Sequence, residues 1–520
     1  MKRSVVVVLL LAVGMALAWG PDVRLTDNSY SDNTYWSCQR RVAVDSGGRI
    51  HVIWYVMNSG LGTYRFQVYY KRFNPGTGWT QDTMLSADLY ADSTHNKYPA
   101  IAVDSSGRVI AVWGNDTSDA ADAFIYYKTC LPEGSGNGGW DATSRLLSAP
   151  SPGFTRECPN LAAPPDGRVH AVWREVKPGG GICVAYRELI DTVWQSQADL
   201  ELNSNYKVYP AVAGGPDNSV HVVWHGRNGP SGYYNVWYKA RTDTTWGTME
   251  NASNGSRHQM YPSLAVDPTT GEPHALWEGY EASGTTLRAL HSYRTAGAWQ
   301  ACDTVSEPGS AYGQGTGQIE FTGDGTGHAV WEGESDSFPT VGQIRYSRRS
   351  IAGSWSAPEN ITAATSTRER PSIANGGNSV SPFDLHIVWS DYRDGNSEMY
   401  YKHDSIVLAI GEGVRPAVLG SRPGASVVRG VLNLGVDSRQ QTVDRAELLD
   451  AAGRRVMELH AGANDVSRLA PGVYFVVAPS LSSSPPEGER VGEGTSSVEH
   501  DASCVERHQG RDSVAGGGAY

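Results

Sequence analysis

The chain has 520 residues, more than one ordinary core covers, so its length points to several domains or a repeat array. Charged residues make up 19%, aromatics 10% and glycine 59 positions, a composition that reads as all-β with many turns. The formal net charge of -12 argues against nucleic acid or an anionic membrane as the main partner, since both need a basic face.

The N-terminus reads "MKRSVVVVLLLAVGMALAWG". Lys2 and Arg3 precede an apolar run from Val5 to Leu17, and small residues follow. This is the pattern of a secretory signal peptide, expected over 1–19. The run is too short for a membrane anchor, and no later segment approaches eighteen apolar residues, so no membrane span is expected after signal removal. The six cysteines show no CxxC spacing, which argues against a zinc site, and no metal or cofactor is expected. Export permits disulfides, and Cys158 and Cys183, which fall in one repeat, could pair.

From residue 40 onward one pattern recurs. Short apolar runs such as "RVAVD", "AIAVD" and "SLAVD" lead through turns such as "DSGGR", "DSSGR" and "PPDGR" into a run ending in tryptophan. Asp, Gly, Asn and Ser there supply the positive φ angles and side-chain bonds of tight hairpins. The tryptophans are Trp54, Trp113, Trp173, Trp224, Trp277, Trp331 and Trp389, at intervals of 51 to 60 residues. A variable loop follows each, then a third strand whose tyrosines are Tyr70, Tyr127, Tyr186, Tyr238, Tyr293, Tyr346 and Tyr401. A second tryptophan opens a fourth strand at Trp79, Trp140, Trp194, Trp246, Trp299 and Trp355. Four short strands per unit, seven times over with no helical period, predict a seven-bladed β-propeller over 20–405. The seventh unit lacks its own fourth strand. "PDVRLTDN" (21–28) resembles "PENITAAT" (358–365), so the N-terminal segment is expected to complete the last blade and remove its open edge.

A histidine stands three residues before most of the first tryptophans: His51, His170, His221, His274, His328 and His386, with Ile110 in the seventh slot. A coordinating ring is excluded by distance. Facing sheets pack roughly 10 Å apart, whereas zinc needs nitrogens at about 2.0–2.1 Å. Each imidazole is therefore expected to bond backbone or a neighbour between blades, and the recurrent aromatics to form inter-blade core.

The loops after the tryptophans share one face of such a ring with the inter-blade loops, and they vary: "GNDTSDAADA", "REVKPGGG", "HGRNGPSGYYN", "EGYEASGTT", "EGESDSFPT" and "SDYRDGNSE". Variable loops on a rigid ring are where binding sites collect. Candidate ligand-binding residues are Arg174, Arg227, Glu278, Glu332, Asp391 and Arg393, with Arg368 and Arg370 from an inter-blade loop. Asp116, Glu175 and Arg257 lie on the same loops. Mixed acids and arginines suit sugar hydroxyls or carboxylates through charge-assisted hydrogen bonds.

The unit resembles the bacterial sialidase-like, or BNR-type, propeller repeat. The loops "RTDTTW", "FNPGTGW", "RTAGAW" and "RSIAGSW" keep the tryptophan of that family's Asp box, but a full box appears nowhere. The resemblance implies the fold. The arginine triad, Tyr/Glu nucleophile pair and Asp acid/base of true sialidases have no matching positions. "RERP" (368–371) is the nearest echo of the family's F/Y-R-I-P motif, and it lies in the last blade. The expected function is an exported bacterial propeller that binds glycan or protein at its variable-loop face without catalysis. The alternatives are a sialidase-like glycoside hydrolase and a purely structural surface protein.

Residues 411–478 differ in character. "DAAGRRV" (450–456) and "LAPGVYFVV" (469–477) resemble the type A sorting domain of the type IX secretion system. The resemblance implies a small Ig-like β-sandwich, delivery to the cell surface or medium, and the secretion machinery as a partner. The tail 479–520 is polar and rich in Pro, Gly and Ser, a composition that predicts disorder.

Overall fold

The recurring turns and apolar runs produce seven antiparallel sheets. In this computed structural model the described residues are 19–404, apart from 35–39, 59–64, 90–93, 118–121, 133–138, 229–231, 282–283 and 377–383, together with short segments at 5–10 and between 431 and 478. Blades one to six occupy 31–84, 94–146, 155–203, 207–251, 259–304 and 314–360, and 368–403 supplies most of the seventh. The first strand of every blade touches those of its two neighbours in a closed circle, so these strands line a central channel. The seventh blade is completed by Val23–Arg24, which pairs with Tyr401 and Tyr400, and Leu25 N–H extends the ladder to the Met399 carbonyl at 2.8 Å. The N-terminal segment thus closes the seven-bladed ring by supplying the outer strand of the seventh sheet. Helix is confined, among the described residues, to one turn at Ala87–Leu89.

The seven recurrent tryptophans of the second strands are at most 1% exposed. Burying an indole strands its N–H unless an acceptor is near. Six find one: Asp32, Asn96, Glu175, Gln259, Gln314 and Asp391.

The histidines pair within their own blades rather than between blades. Nδ1 of His51, His170, His221, His328 and His386 lies 2.7–2.9 Å from the hydroxyl of Tyr70, Tyr186, Tyr238, Tyr346 and Tyr401. In blade five the partner of His274 is His291, at 2.9 Å. Register explains this: His291 stands opposite Leu276, as Tyr70 stands opposite Ile53, so His291 and not Tyr293 fills the tyrosine slot. Burial favours the uncharged imidazole. It pulls His170 and His221 down to about 4 and His328 to about 3. Cys158 and Cys183 are free thiols. The first packs with Tyr98 and Val208, the second in the core between blades two and three.

At the end of the channel near the first hairpin turns, alanines 43, 102, 162, 213, 265 and 374 line a cavity of about 280 Å³. Glu320 replaces alanine in blade six and pairs across this space with Arg40 at 2.7 Å.

A second compact unit comprises Met1–Gly14 and Gly420–Tyr520. Its described strands form a sheet in the order Val5–Leu10, Val473–Ala478, Arg445–Asp450, Arg455–His460, and a pair Val431–Leu434 with Gly462–Asp465. The packing expected of a sandwich, and the tail 479–520, lie outside the described residues.

Candidate functional site at the channel mouth

At the opposite end of the channel the first strands of blades two to seven pass through a bulge. Tyr98, Cys158, Tyr209, Tyr261 and Arg370 have φ between 50° and 57°, and each precedes a proline. The ladder to the second strand breaks register at each of these points. A residue before proline normally stays extended, and a left-handed non-glycine residue costs about 1 kcal/mol or more. Five such residues held alike by the fold re-aim one side chain per blade around the mouth. In blade six the equivalent position is Thr316, which is not left-handed, and at Gly315 before it a Cβ would lie 2.4 Å from Oε1 of Glu332.

In blades three to seven the residue after the inner tryptophan bonds to the first strand of the following blade or the segment leading to it. Arg174 Nε donates to the Lys207 carbonyl at 2.8 Å, and His225 Nδ1 accepts from Tyr261 N–H at 2.9 Å. Thr316 Oγ1 donates to Glu278 at 3.4 Å, Arg370 N–H to Glu332 at 2.7 Å, and Thr34 N–H to Ser390 Oγ at 3.0 Å. Around the ring these positions read Tyr55, Gly114, Arg174, His225, Glu278, Glu332 and Ser390. Ionisable groups therefore gather over blades three to six.

Their protonation follows from burial. Glu278 is pushed up to about 8 by burial, with the Glu332 charge adding to it. Glu332 is pushed up to about 7 by burial and by Glu369, against the Arg370 N–H bond. A carboxyl held neutral near pH 7 donates a hydrogen bond as well as accepting one. Burial lowers His225 to about 3. Since its Nδ1 accepts a hydrogen bond, the neutral ring carries its proton on Nε2.

Tyrosines surround this histidine. Tyr209, Tyr234 and Tyr261 have ring centroids 5.2–5.4 Å from His225, and Tyr206 lies 5.7 Å from Tyr234. Arg174 lies over Tyr206 at 5.7 Å and Arg227 over Tyr234 at 4.4 Å, both within cation–π range. Arg174 also pairs with Glu157 at 2.7 Å. Arg227 Nε is buried without a hydrogen-bond partner. Tyr206 and Tyr233 are the exposed aromatic side chains among the described residues, at 39% and 51%.

Of the residues singled out from sequence, Arg174, Glu278, Glu332 and Arg370 meet the bulges, and Arg227 joins the tyrosines. Arg368 and Asp391 form a fully buried ion pair at 3.0 Å, with Asp391 also accepting the Trp389 indole proton. Arg393 binds Asp391 and, at 2.7 Å, Asp22 ahead of the closing strand. These three hold the seventh blade together. Asp116 pairs with Lys97 at 2.7 Å, and Arg257 donates to the Gly284 carbonyl at 2.6 Å. Arg368 and Arg393 share Asp391, the other arginines have separate local partners, and among the described residues no contact draws three of them together. Glu175, Cys183 and Asp199 have ligand atoms within 4.8 Å of one another. Arg156 and Lys177 already pair with those carboxylates, which makes the group an ion-pair network.

No protein-family model matches the chain, and no curated protein matches it. Solved structures do. An ulvan lyase of a polysaccharide lyase family superposes with a TM-score of 0.53 at 11% identity, covering 73% of this chain and 95% of the lyase. The Hadza microbial sialidase Hz136 gives 0.41 at 12% identity, over 58% of this chain and 63% of the sialidase. A protein of unknown function from Dyadobacter fermentans gives 0.43 at 11%, over 60% and 95%. The likeness is one of fold.

The histidine ring, conspicuous in sequence, is structural. What sequence reading missed is His225 and the tyrosines at the bulges. Their signal was present in the dipeptides Tyr98-Pro99, Cys158-Pro159, Tyr209-Pro210, Tyr261-Pro262 and Arg370-Pro371, which open five of the seven first strands.

Proposed function

We propose that this chain is an exported β-propeller that binds an acidic glycan at the channel mouth over blades three to five, without cleaving it. One observation carries the reading: the exposed Tyr206 lies under Arg174, and the exposed Tyr233 packs against His258 beside Tyr234, over which Arg227 lies. Tyrosine faces stack on sugar rings at low entropic cost. A guanidinium with an unpartnered Nε suits a carboxylate or sulfate. In keeping with this, the ulvan lyase of similar fold was solved bound to -[GlcA(1-4)Rha3S]-, with a TM-score of 0.50. A glycoside hydrolase that works through two carboxylates needs one ionised and one protonated, and burial here drives both Glu278 and Glu332 toward the neutral form; the Tyr/Glu nucleophile pair and Asp acid/base of true sialidases have no matching positions in the sequence. The leader at the N-terminus and the sorting-type region at 411–478 support export and use of a type IX-like route, with the secretion machinery as partner.

Affinity electrophoresis against polyuronates, sulfated and neutral polysaccharides tests the reading. Retardation by the acidic polymers, abolished in Tyr206→Ala and Arg227→Ala, is expected. Release of unsaturated or reducing ends, or turnover of a fluorogenic sialoside, contradicts the non-catalytic half.

A further inference from the structure

Around the outside of the ring a second aromatic circle runs from blade to blade. An aromatic side chain of each third strand receives the edge of an indole from the fourth strand of the next blade. The pairs are Tyr70–Trp140, Tyr127–Trp194, Tyr186–Trp246, Tyr238–Trp299, His291–Trp355 and, closing the circle, Tyr401–Trp79, with centroids 4.9–5.7 Å apart and planes 73–80° apart. Tyr346 of blade six needs a tryptophan from blade seven, whose own sequence has none there. Trp19 supplies it, at 5.0 Å and 76°.

Trp19 is held in this slot by more than the ring contact. Its backbone stands opposite Asp404 in register, and Gly20 N–H donates to the His403 carbonyl at 2.9 Å. Its indole N–H donates to Glu359 at 3.2 Å, whereas those of Trp140, Trp194, Trp299 and Trp355 are buried without partners. It packs on the cluster that includes Tyr346, Ile361 and Leu385.

The leader expected over 1–19 would carry this side chain away. Directly before Trp19 the sequence reads Ala16-Leu17-Ala18, the small-x-small spacing that leader peptidases cut after. We propose that the leader is cut between Ala18 and Trp19, so that Trp19 becomes the first residue of the mature protein and the last indole of its outer ring. Water adds across the amide: Ala18 leaves with a carboxylate, and Trp19 acquires a free amino group. That amine appears across from Asp404, a buried side chain whose Oδ2 has no hydrogen-bond partner.

The inference rests on the export reading above, and one experiment separates the two. The full chain is produced in a Gram-negative host, and the exported protein is examined by N-terminal sequencing and intact mass. A start at Trp19, with 18 residues lost, is expected. An exported protein starting at any other residue overturns the cut site and leaves export standing. An uncleaved, cell-retained chain overturns both. Independently, a chain begun at Trp19 should melt several degrees higher than one begun at Gly20, and Trp19→Phe should recover part of the difference. Equal melting temperatures would remove the structural reason for keeping the residue.

Discussion

Changing Glu278 to Gln should stabilise the propeller at alkaline pH and leave it unchanged in acid. Glu278 is 5% exposed, and its carboxyl is raised from 4.5 to about 8 by burial and by Glu332. In the native state it keeps a proton that the unfolded chain has already released. Native stability from this group is therefore complete below pH 4.5 and is lost as pH climbs toward about 8. The span is about 3.5 pH units at roughly 1.4 kcal/mol each, an upper bound of about 5 kcal/mol. Glutamine keeps the shape and the bond from Thr316 but never ionises. Urea denaturation of parent and variant at about pH 4.5 and about pH 8.5 reads the difference. Buried histidines act in the opposite sense, losing stability as pH falls, so the comparison is made variant against parent at each pH. Agreement in acid and a gain of several kcal/mol in alkali is expected. A variant no more stable than its parent at about pH 8.5 would show that Glu278 is solvated or paired, and the reasoning about the mouth would fail with it.

Glu332→Gln should show the same sign with a smaller span, since its carboxyl reaches only about 7. Tyr346→Phe should cost about 1–3 kcal/mol in a denaturant titration, because it strands the buried imidazole of His328, and EDTA should leave the melting temperature unchanged. Deleting 19–28 should lower the melting temperature sharply, since it opens the edge of the seventh blade and removes Trp19 from Tyr346. Tyr233→Ala should weaken glycan retention about fivefold with no change in melting temperature, because the side chain is half exposed and stacking on an aromatic is worth about 1 kcal/mol.

The propeller was legible because its core is written in one repeated grammar. A tryptophan every 51 to 60 residues, a hairpin turn before it and a tyrosine strand after it leave one way to bury seven similar faces. The closing strand could be inferred from the missing seventh fourth strand. Trp19 could not, because the same residues also read as the end of a leader. The site was legible only in part. Position after the tryptophan picked out Arg174, Glu278 and Glu332, but it could not separate them from Asp391 and Arg393, whose charges are used up inside the seventh blade. That distinction depends on which partner lies across the bulge, and a bulge shifts register by one residue and so breaks the period. His225 was hidden for a related reason. It follows a tryptophan within "VVWHG" (222–226), next to a repeat whose histidines are structural.

The central claim is that the tyrosine–arginine cluster over blades three to five holds an acidic sugar. Isothermal titration of the purified protein with a uronate oligosaccharide, beside its Arg227→Ala and Tyr206→Ala variants, tests it most directly. Binding that weakens tenfold or more in each variant, with melting temperatures unchanged, is predicted. Equal binding by parent and variants, or none by the parent to any acidic saccharide, would contradict it.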